Sequence, residues 1–320
     1  MKLIPVKRTN EEYEAFAALE QLEWADFAPT VEMLKHWDKA TASQYIRQSF
    51  AVEIDGQIMG RAMYGHTVWA FEPGKFYLYI MIHPDYRRQG LGTAIYQQLL
   101  AELAQHRPVK LLVGTREDKP SALAFLQKEG FTQVMRYPLS RLDLTEFDPG
   151  RYTTTLQRVA DSGITIRTIE QLAKTDPDYR MKIYEMDRLI SQDVPHFDEP
   201  TPPTFEQYQK YAFDNPGYLP NAWFVALDGQ EYVGLSNLWR NFNNDKRWDT
   251  GFTGVKRSHR RRGIATALKV NILAYAKSQG ITTTVTDNEE NNPMFLLNMQ
   301  LGFVPQPANL DFIKNLTAQV

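Results

Sequence analysis

Arg260-Arg261-Arg262-Gly263-Ile264-Ala265 decides the fold of this chain, because it occurs twice. Its twin is Arg87-Arg88-Gln89-Gly90-Leu91-Gly92, and Gly90 and Gly263 stand 173 positions apart in 320 residues. Each copy follows an apolar, strand-like run and opens a helix-like run. The first N–H groups of a helix have no partner inside it and carry partial positive charge. Anions settle there. A glycine lets the main chain come close to a phosphate oxygen. Gly92 and Ala265 keep the next position small, and the surrounding arginines add charge-assisted hydrogen bonds. The sequence thus predicts a duplicated domain whose repeated feature is a diphosphate-binding turn. A solvated basic loop is the plainer alternative for either copy alone; recurrence after a strand argues against it. No GxGxxG or GxxxxGK[ST] occurs, which removes the Rossmann and P-loop readings.

Other landmarks keep the offset. Asp55-Gly56 and Asp228-Gly229, each a hairpin signal between strand-like runs, are also 173 apart, and Gly130-Phe131 and Gly302-Phe303 are 172 apart. Each half therefore reads as one series of elements. It begins with a strand (2–8; 163–168) and helices (11–20 and 30–37; 178–190 and 205–212). A hairpin follows (48–54 with 57–66; 222–227 with 231–239), then a central strand (76–82; 248–255) and the turn with its long helix (90–105; 263–279). A strand (109–115; 281–286), a short helix (120–129; 292–300) and a last strand close the half. The expected domains are 1–145 and 161–320, with 146–160 as linker that leaves room for a short strand or helix of its own. The proline-rich loop Val194–Pro203 is expected to border a substrate site.

Composition narrows the chemistry. The 36 basic and 38 acidic residues give a net charge of −2, which speaks against a general nucleic-acid binder. No apolar run approaches the length of a membrane span, and no signal peptide is evident. There is no cysteine, so disulfides, thiolate metal sites and a cysteine nucleophile are removed, and a cytoplasmic location is expected. The six histidines show no metal-ligand spacing, and no metal is expected.

Both turns fit the signature Q/R-x-x-G-x-G/A of the GNAT superfamily of N-acetyltransferases, which the chain resembles over nearly its whole length as a tandem pair. That family continues with Asn-x-x-Ala, an aromatic and Gly-Phe. The second half answers with Asn291, Met294, Asn298 and Gly302-Phe303; the first has Lys119 for the asparagine and Leu126 for the aromatic. The run from Thr253 to Lys269 is also similar to the second domain of the two-domain mycothiol synthase group. The resemblance implies an α/β (α+β mixed) fold of two tandem GNAT-like acyl-CoA N-acyltransferase domains. Each would be a mixed, mostly antiparallel sheet flanked by helices, with its central strand splayed from the next. It implies acetyl-CoA as cosubstrate, its acetyl group passing directly to a primary amine of a small molecule; a monomer or homodimer is expected. The rival readings are a longer acyl-CoA as donor, a peptide or protein N-terminus as acceptor, and a non-catalytic CoA-binding sensor or interaction module.

The resemblance also assigns residues. Cofactor contacts are expected from Thr253, Gly254, Val255, Arg260, Arg261, Arg262, Gly263, Ile264, Ala265, Thr266 and Asn291. Their first-half counterparts are Ile80, Met81, Ile82, Arg87, Arg88, Gln89, Gly90, Leu91, Gly92 and Thr93. Acyl transfer needs a neutral amine, a polarised carbonyl and aligned substrates; alignment alone can lower a barrier by ~7–11 kcal/mol. No enzyme nucleophile is required. Asp249, at the start of the second central strand, is either the general base or a polar strand end. Asn298 stands where many relatives carry a tyrosine that protonates the leaving thiolate; it steadies the sulfur or the substrate, or is a satisfied core amide. The second half is expected to be catalytic, and the first either to bind coenzyme A weakly or to be structural. His196 with Asp193 and Asp198, and Glu32, His36 and Trp37 on one helix, are lesser candidates for an acceptor site.

Overall fold

The computed structural model describes residues 1–41 and 43–316. The first half runs β1 (Lys2–Pro5), α1 (Asn10–Trp24), α2 (Val31–Ala40), β2 (Arg47–Ile54), β3 (Gln57–Gly65) and β4 (Lys75–Ile82). It continues with α3 (Leu91–Leu103), β5 (Lys110–Arg116), α4 (Pro120–Lys128) and β6 (Thr132–Asp143). The second begins with α5 (Thr153–Asp161), β7 (Ile164–Thr168), α6 (Ile169–Ala173), α7 (Tyr179–Ser191) and α8 (Phe205–Tyr208), which runs into a π-turn. Then come β8 (Trp223–Asp228), β9 (Glu231–Arg240), β10 (Arg247–Val255), α9 (Ile264–Ser278), β11 (Thr283–Asp287), α10 (Pro293–Gln300) and β12 (Val304–Asn315). Local chemistry sets the ends. Thr9 with Glu12, Thr168 with Gln171 and Thr204 with Gln207 form capping boxes. Pro120 and Pro293 open α4 and α10, where a missing N–H costs nothing.

The chain divides into two compact units. One holds Met1–Arg136, Phe197–Thr201 and the strand from Asn309; the other holds Tyr137–His196 and Pro202–Ala308. In the first, β1, β2, β3 and β4 form an antiparallel series, β5 lies parallel to β4, and β12 pairs antiparallel with β5 from Asn309↔Arg116 to Asn315↔Lys110. In the second, β7, β8, β9 and β10 are antiparallel, β11 is parallel to β10, and β6 pairs antiparallel with β11 from Leu139↔Asp287 to Asp143↔Thr283. This corrects the expectation that each half closes with its own last strand. The closing strands are exchanged, because an alternating strand records which face is buried but not which edge it will pair with.

The segment 146–160, read as linker with room for a short strand or helix of its own, carries a short helix. Pro149–Tyr152 forms a 3₁₀ turn and α5 follows, its Val159 buried with Ile164, Ile264, Ala267 and Leu268. The tripeptide Thr153–Thr155 reads as polar loop in isolation; Leu156 and Val159, three apart, supply the face that packs on α9. Among the described residues, no helix is long and apolar enough to cross a membrane, and no group of three or more acidic or histidine side chains could hold a metal.

Candidate active site

In both units the parallel pair parts early. β4 pairs with β5 over Lys75, Phe76 and Tyr77, and β10 with β11 over Arg247, Trp248 and Asp249; the ladders end there. Beyond Asp249 the edge of β10 that faces β11 has no ladder partner, leaving backbone polar groups for a ligand. The units differ at this point. β4 stays in register with β3 throughout, from Gly65↔Tyr77 to Gly60↔Ile82. β10 shifts register against β9 between Thr250 and Thr253, a bulge. Asn237 pins it: its side-chain oxygen accepts from the Phe252 N–H at 2.6 Å. Gly251 permits it, since a Cβ there would lie 2.2 Å from Trp239 Nε1 and 2.3 Å from Asn237 Oδ1.

A cavity of about 250 Å³ opens against the bulge. Thr250, Gly251, Phe252 and Thr253 line it from β10, Lys269 from α9, Thr286 and Asp287 from β11, and Met294 and Asn298 from α10. Asn288, Glu289, Asn292, Tyr137 and Val194 complete it. Asn298 is fully buried; its Nδ2 donates to Asn288 Oδ1 at 2.6 Å, while its own Oδ1 has no hydrogen-bond partner. A buried, unpaired amide oxygen is costly unless a ligand or water completes it. Lys269 is only 1% exposed, and burial pushes its ammonium down to about 7.

The two glycine turns share one backbone. Arg88 and Arg261 both have φ +62°, Gly90 and Gly263 have φ +80° and +84°, and each glycine caps its helix. Left-handed arginines are unfavourable by ~1–2 kcal/mol each, and such strain gathers where backbone N–H groups are aimed at a ligand. Arg88, Arg261 and Gln89 are exposed; Leu91, Gly92, Thr93, Ala265 and Thr266 form the half-buried first helical turns, and Ile264 is core.

The first arginine of each turn, expected to reach the ligand, is spent internally. Arg87 Nε donates to the Ile82 carbonyl at 2.8 Å and its guanidinium pairs with Glu23. Arg260 Nε donates to the Val255 carbonyl at 2.9 Å and its guanidinium pairs with Asp193, which Arg257 also holds. Arg257 first and Arg260 second keep the Asp193 carboxyl at about 2. Arg262 donates to the Ser162 carbonyl at 3.2 Å. The first unit has an added brace: Lys119 Nζ meets Glu23 at 2.8 Å, and the Tyr79 hydroxyl donates to Glu20 and accepts from Trp24. The end of α1 is thus tied to β4, to the turn and to the start of α4.

Other expected residues fall elsewhere. Asp249 does not line the cavity; it accepts from Arg247 Nε at 2.5 Å and Asn241 Nδ2 at 2.8 Å, so both oxygens are engaged. Asn291 donates from Nδ2 to Glu289 at 2.8 Å, whereas Asn292 lines the cavity and caps α10 through the Met294 N–H. Thr253 lines the cavity, its hydroxyl 2.8 Å from Ser236; Gly254 lies under Ile190, and Val255 is core. Met81 and Ile82 are buried and Ile80 half-buried in the unbroken β4. His196, Asp193 and Asp198 do not form one group: Asp193 holds the turn, while Asp198 pairs with Lys75 and Lys110 in the other unit. Trp37 and Glu32 stay exposed on α2. Lys269, Asn292 and the Asn237–Gly251 bulge were not evident from sequence.

Two split sheets, each leading from its central strand through a left-handed turn into a helix, define an acyltransferase architecture in tandem. The chain belongs to the acetyltransferase (GNAT) family, whose model matches residues 15–131 and 183–303. Over 91 residues it is 31% identical to a mycothiol acetyltransferase of Parafrankia sp. (strain EAN1pec), a match spanning 28% of this chain and 27% of that protein. Among solved structures it is similar to a tandem GNAT protein from the clavulanic acid biosynthesis pathway (TM-score 0.76, 18% identity, 98% of both chains). It is also similar to a GCN5-related N-acetyltransferase from Sphaerobacter thermophilus (TM-score 0.68, 20% identity, 98% of this chain and 95% of that one).

Proposed function

We propose that this acyltransferase moves an acetyl group from acetyl-CoA to a primary amine of a small molecule, by direct transfer in the second unit. The bulge-lined cavity carries this reading. It lies where β10 leaves β11, and β10 leads within eight residues to the Gly263 turn. The free oxygen of Asn298 points to a cavity built for a polar ligand. N–H groups of the Arg260–Thr266 turn would hold the diphosphate, and the unpaired edge of β10 would polarise the thioester carbonyl. With both oxygens engaged, Asp249 serves in this reading to hold the start of β10 through Arg247 and Asn241. The first unit keeps the turn but lacks the bulge, and Glu23 braces its Arg87 and Lys119; we assign it a structural role.

The test introduces an anion at equivalent helix starts, Ala265→Asp and Gly92→Asp. An acidic residue there favours the helix while repelling a diphosphate. Thiol release from acetyl-CoA with a panel of amines should be lost in Ala265→Asp and kept in Gly92→Asp. The reverse pattern refutes the assignment, and tight binding without release from any amine favours a sensor.

A further inference from the structure

We propose that Lys269 is a catalytic residue of the second unit, carrying a proton from the attacking amine to the leaving sulfur. This rests on the acetyl-transfer reading above. Three observations carry it. Lys269 lies on α9, yet its side chain is buried and lines the cavity beside Asn298. Among the described residues it has no hydrogen bond or ion pair; its ammonium lies over the Phe303 ring, 5.3 Å from the centroid. A buried lysine with no counter-charge is held partly neutral, and burial brings its titration to about 7. A structural lysine would be expected to have a carboxylate partner, as Lys75 has in Asp198.

Two acids share the cavity with Lys269. Glu289 accepts from the Asn291 N–H at 2.9 Å and Nδ2 at 2.8 Å. Asp287 lines the cavity from the end of β11 and Tyr137 from β6, while β10 and α10 present uncharged side chains to it. The step balances. The neutral amine nitrogen forms a bond to the thioester carbonyl carbon, and the carbon–sulfur bond breaks with its electron pair on sulfur. Lys269 Nζ accepts the proton shed by nitrogen and delivers it to sulfur, ending as the neutral amine with which it began. An amide and a thiol result. Asn298, with no acidic proton, can then orient a reactant without being the acid.

Lys269→Met in the full chain tests this, since methionine keeps the length and apolar stem. Acetyl-CoA affinity by calorimetry should stay within about three-fold, while kcat falls by about 10²–10⁴. In the wild type kcat should rise with pH through about 7; in the variant that limb should vanish, leaving only the acceptor's own ionisation near ~10. A second measurement needs no acceptor. In protein labelled at lysine Cε, one resonance should titrate near 7, move when acetyl-CoA is added and be missing from Lys269→Met. Unchanged kcat and pH profile in the variant, or a Lys269 resonance titrating near ~10, overturns the inference alone. Failure of the wild type to bind acetyl-CoA overturns the functional reading and this inference with it.

Discussion

Arg260 donates from Nε to the main-chain oxygen of Val255 at 2.9 Å, tying the end of β10 to the turn five residues on. Arg87 makes the same bond to Ile82 at 2.8 Å. The arginine that opens the motif is thus a brace, and in the second unit Asp193 anchors its other end. Arg260→Ala should weaken acetyl-CoA binding about 10-fold, the worth of a charge-assisted hydrogen bond. Arg260→Lys should recover part of this, since an ammonium cannot hold carbonyl and carboxylate in one planar fork. Calorimetry checks both; wild-type affinity in Arg260→Ala would show that the brace is dispensable.

Gly251 leaves the room into which Trp239 and Asn237 pack at the bulge. A methyl group there meets Trp239 and Asn237 at 2.2 and 2.3 Å. Gly251→Ala should destabilise the second unit by about 1–3 kcal/mol, the usual cost of overpacking, and lower kcat more than it raises KM. Thermal melting and steady-state kinetics measure the two effects.

Lys269 makes a pH-dependent stability prediction as well. Its folded pKa is about 7 against an ordinary 10.5. Between those values the unfolded chain binds a proton that the folded chain does not, so stability rises with pH. Below about 7 the burial penalty is present in full. Lys269→Met removes it, so the variant should be more stable than wild type near pH ~6, by on the order of 3–5 kcal/mol. The advantage should shrink through pH 8–10 and disappear above. A pH series of denaturant melts reads it; a constant difference would mean Lys269 titrates normally.

Glu23 should matter to the first unit alone. Burial opposes its ionisation, but hydrogen bonds from Lys119 and Arg87 outweigh that and lower its pKa. Glu23→Gln should cost about 1–3 kcal/mol, a contribution present near neutral pH and lost in acid as the wild-type carboxyl protonates. Turnover should be unchanged, which kinetics beside a melting curve will show.

Much of this was legible in sequence. The glycine turns and the Asp-Gly hairpins fall where the repeat placed them, because each is a local signal. What escaped depends on distant partners. The pairing of β12 with β5 joins residues some 200 positions apart, such as Asn309 and Arg116, and no local pattern states it. A lysine in a helix reads as surface; Lys269 is buried because its face of α9 is turned to Phe303 and the cavity. The bulge was invisible because Gly251 and Asn237 lie on different strands, and Asn292 was missed because its neighbour Asn291 matched the motif one residue early.

The most direct test is a calorimetric titration of acetyl-CoA into the full chain and into Ala265→Asp. One site per chain, abolished by that substitution, is the predicted result. Two sites, or a single site that survives Ala265→Asp and is lost in Gly92→Asp, would contradict it.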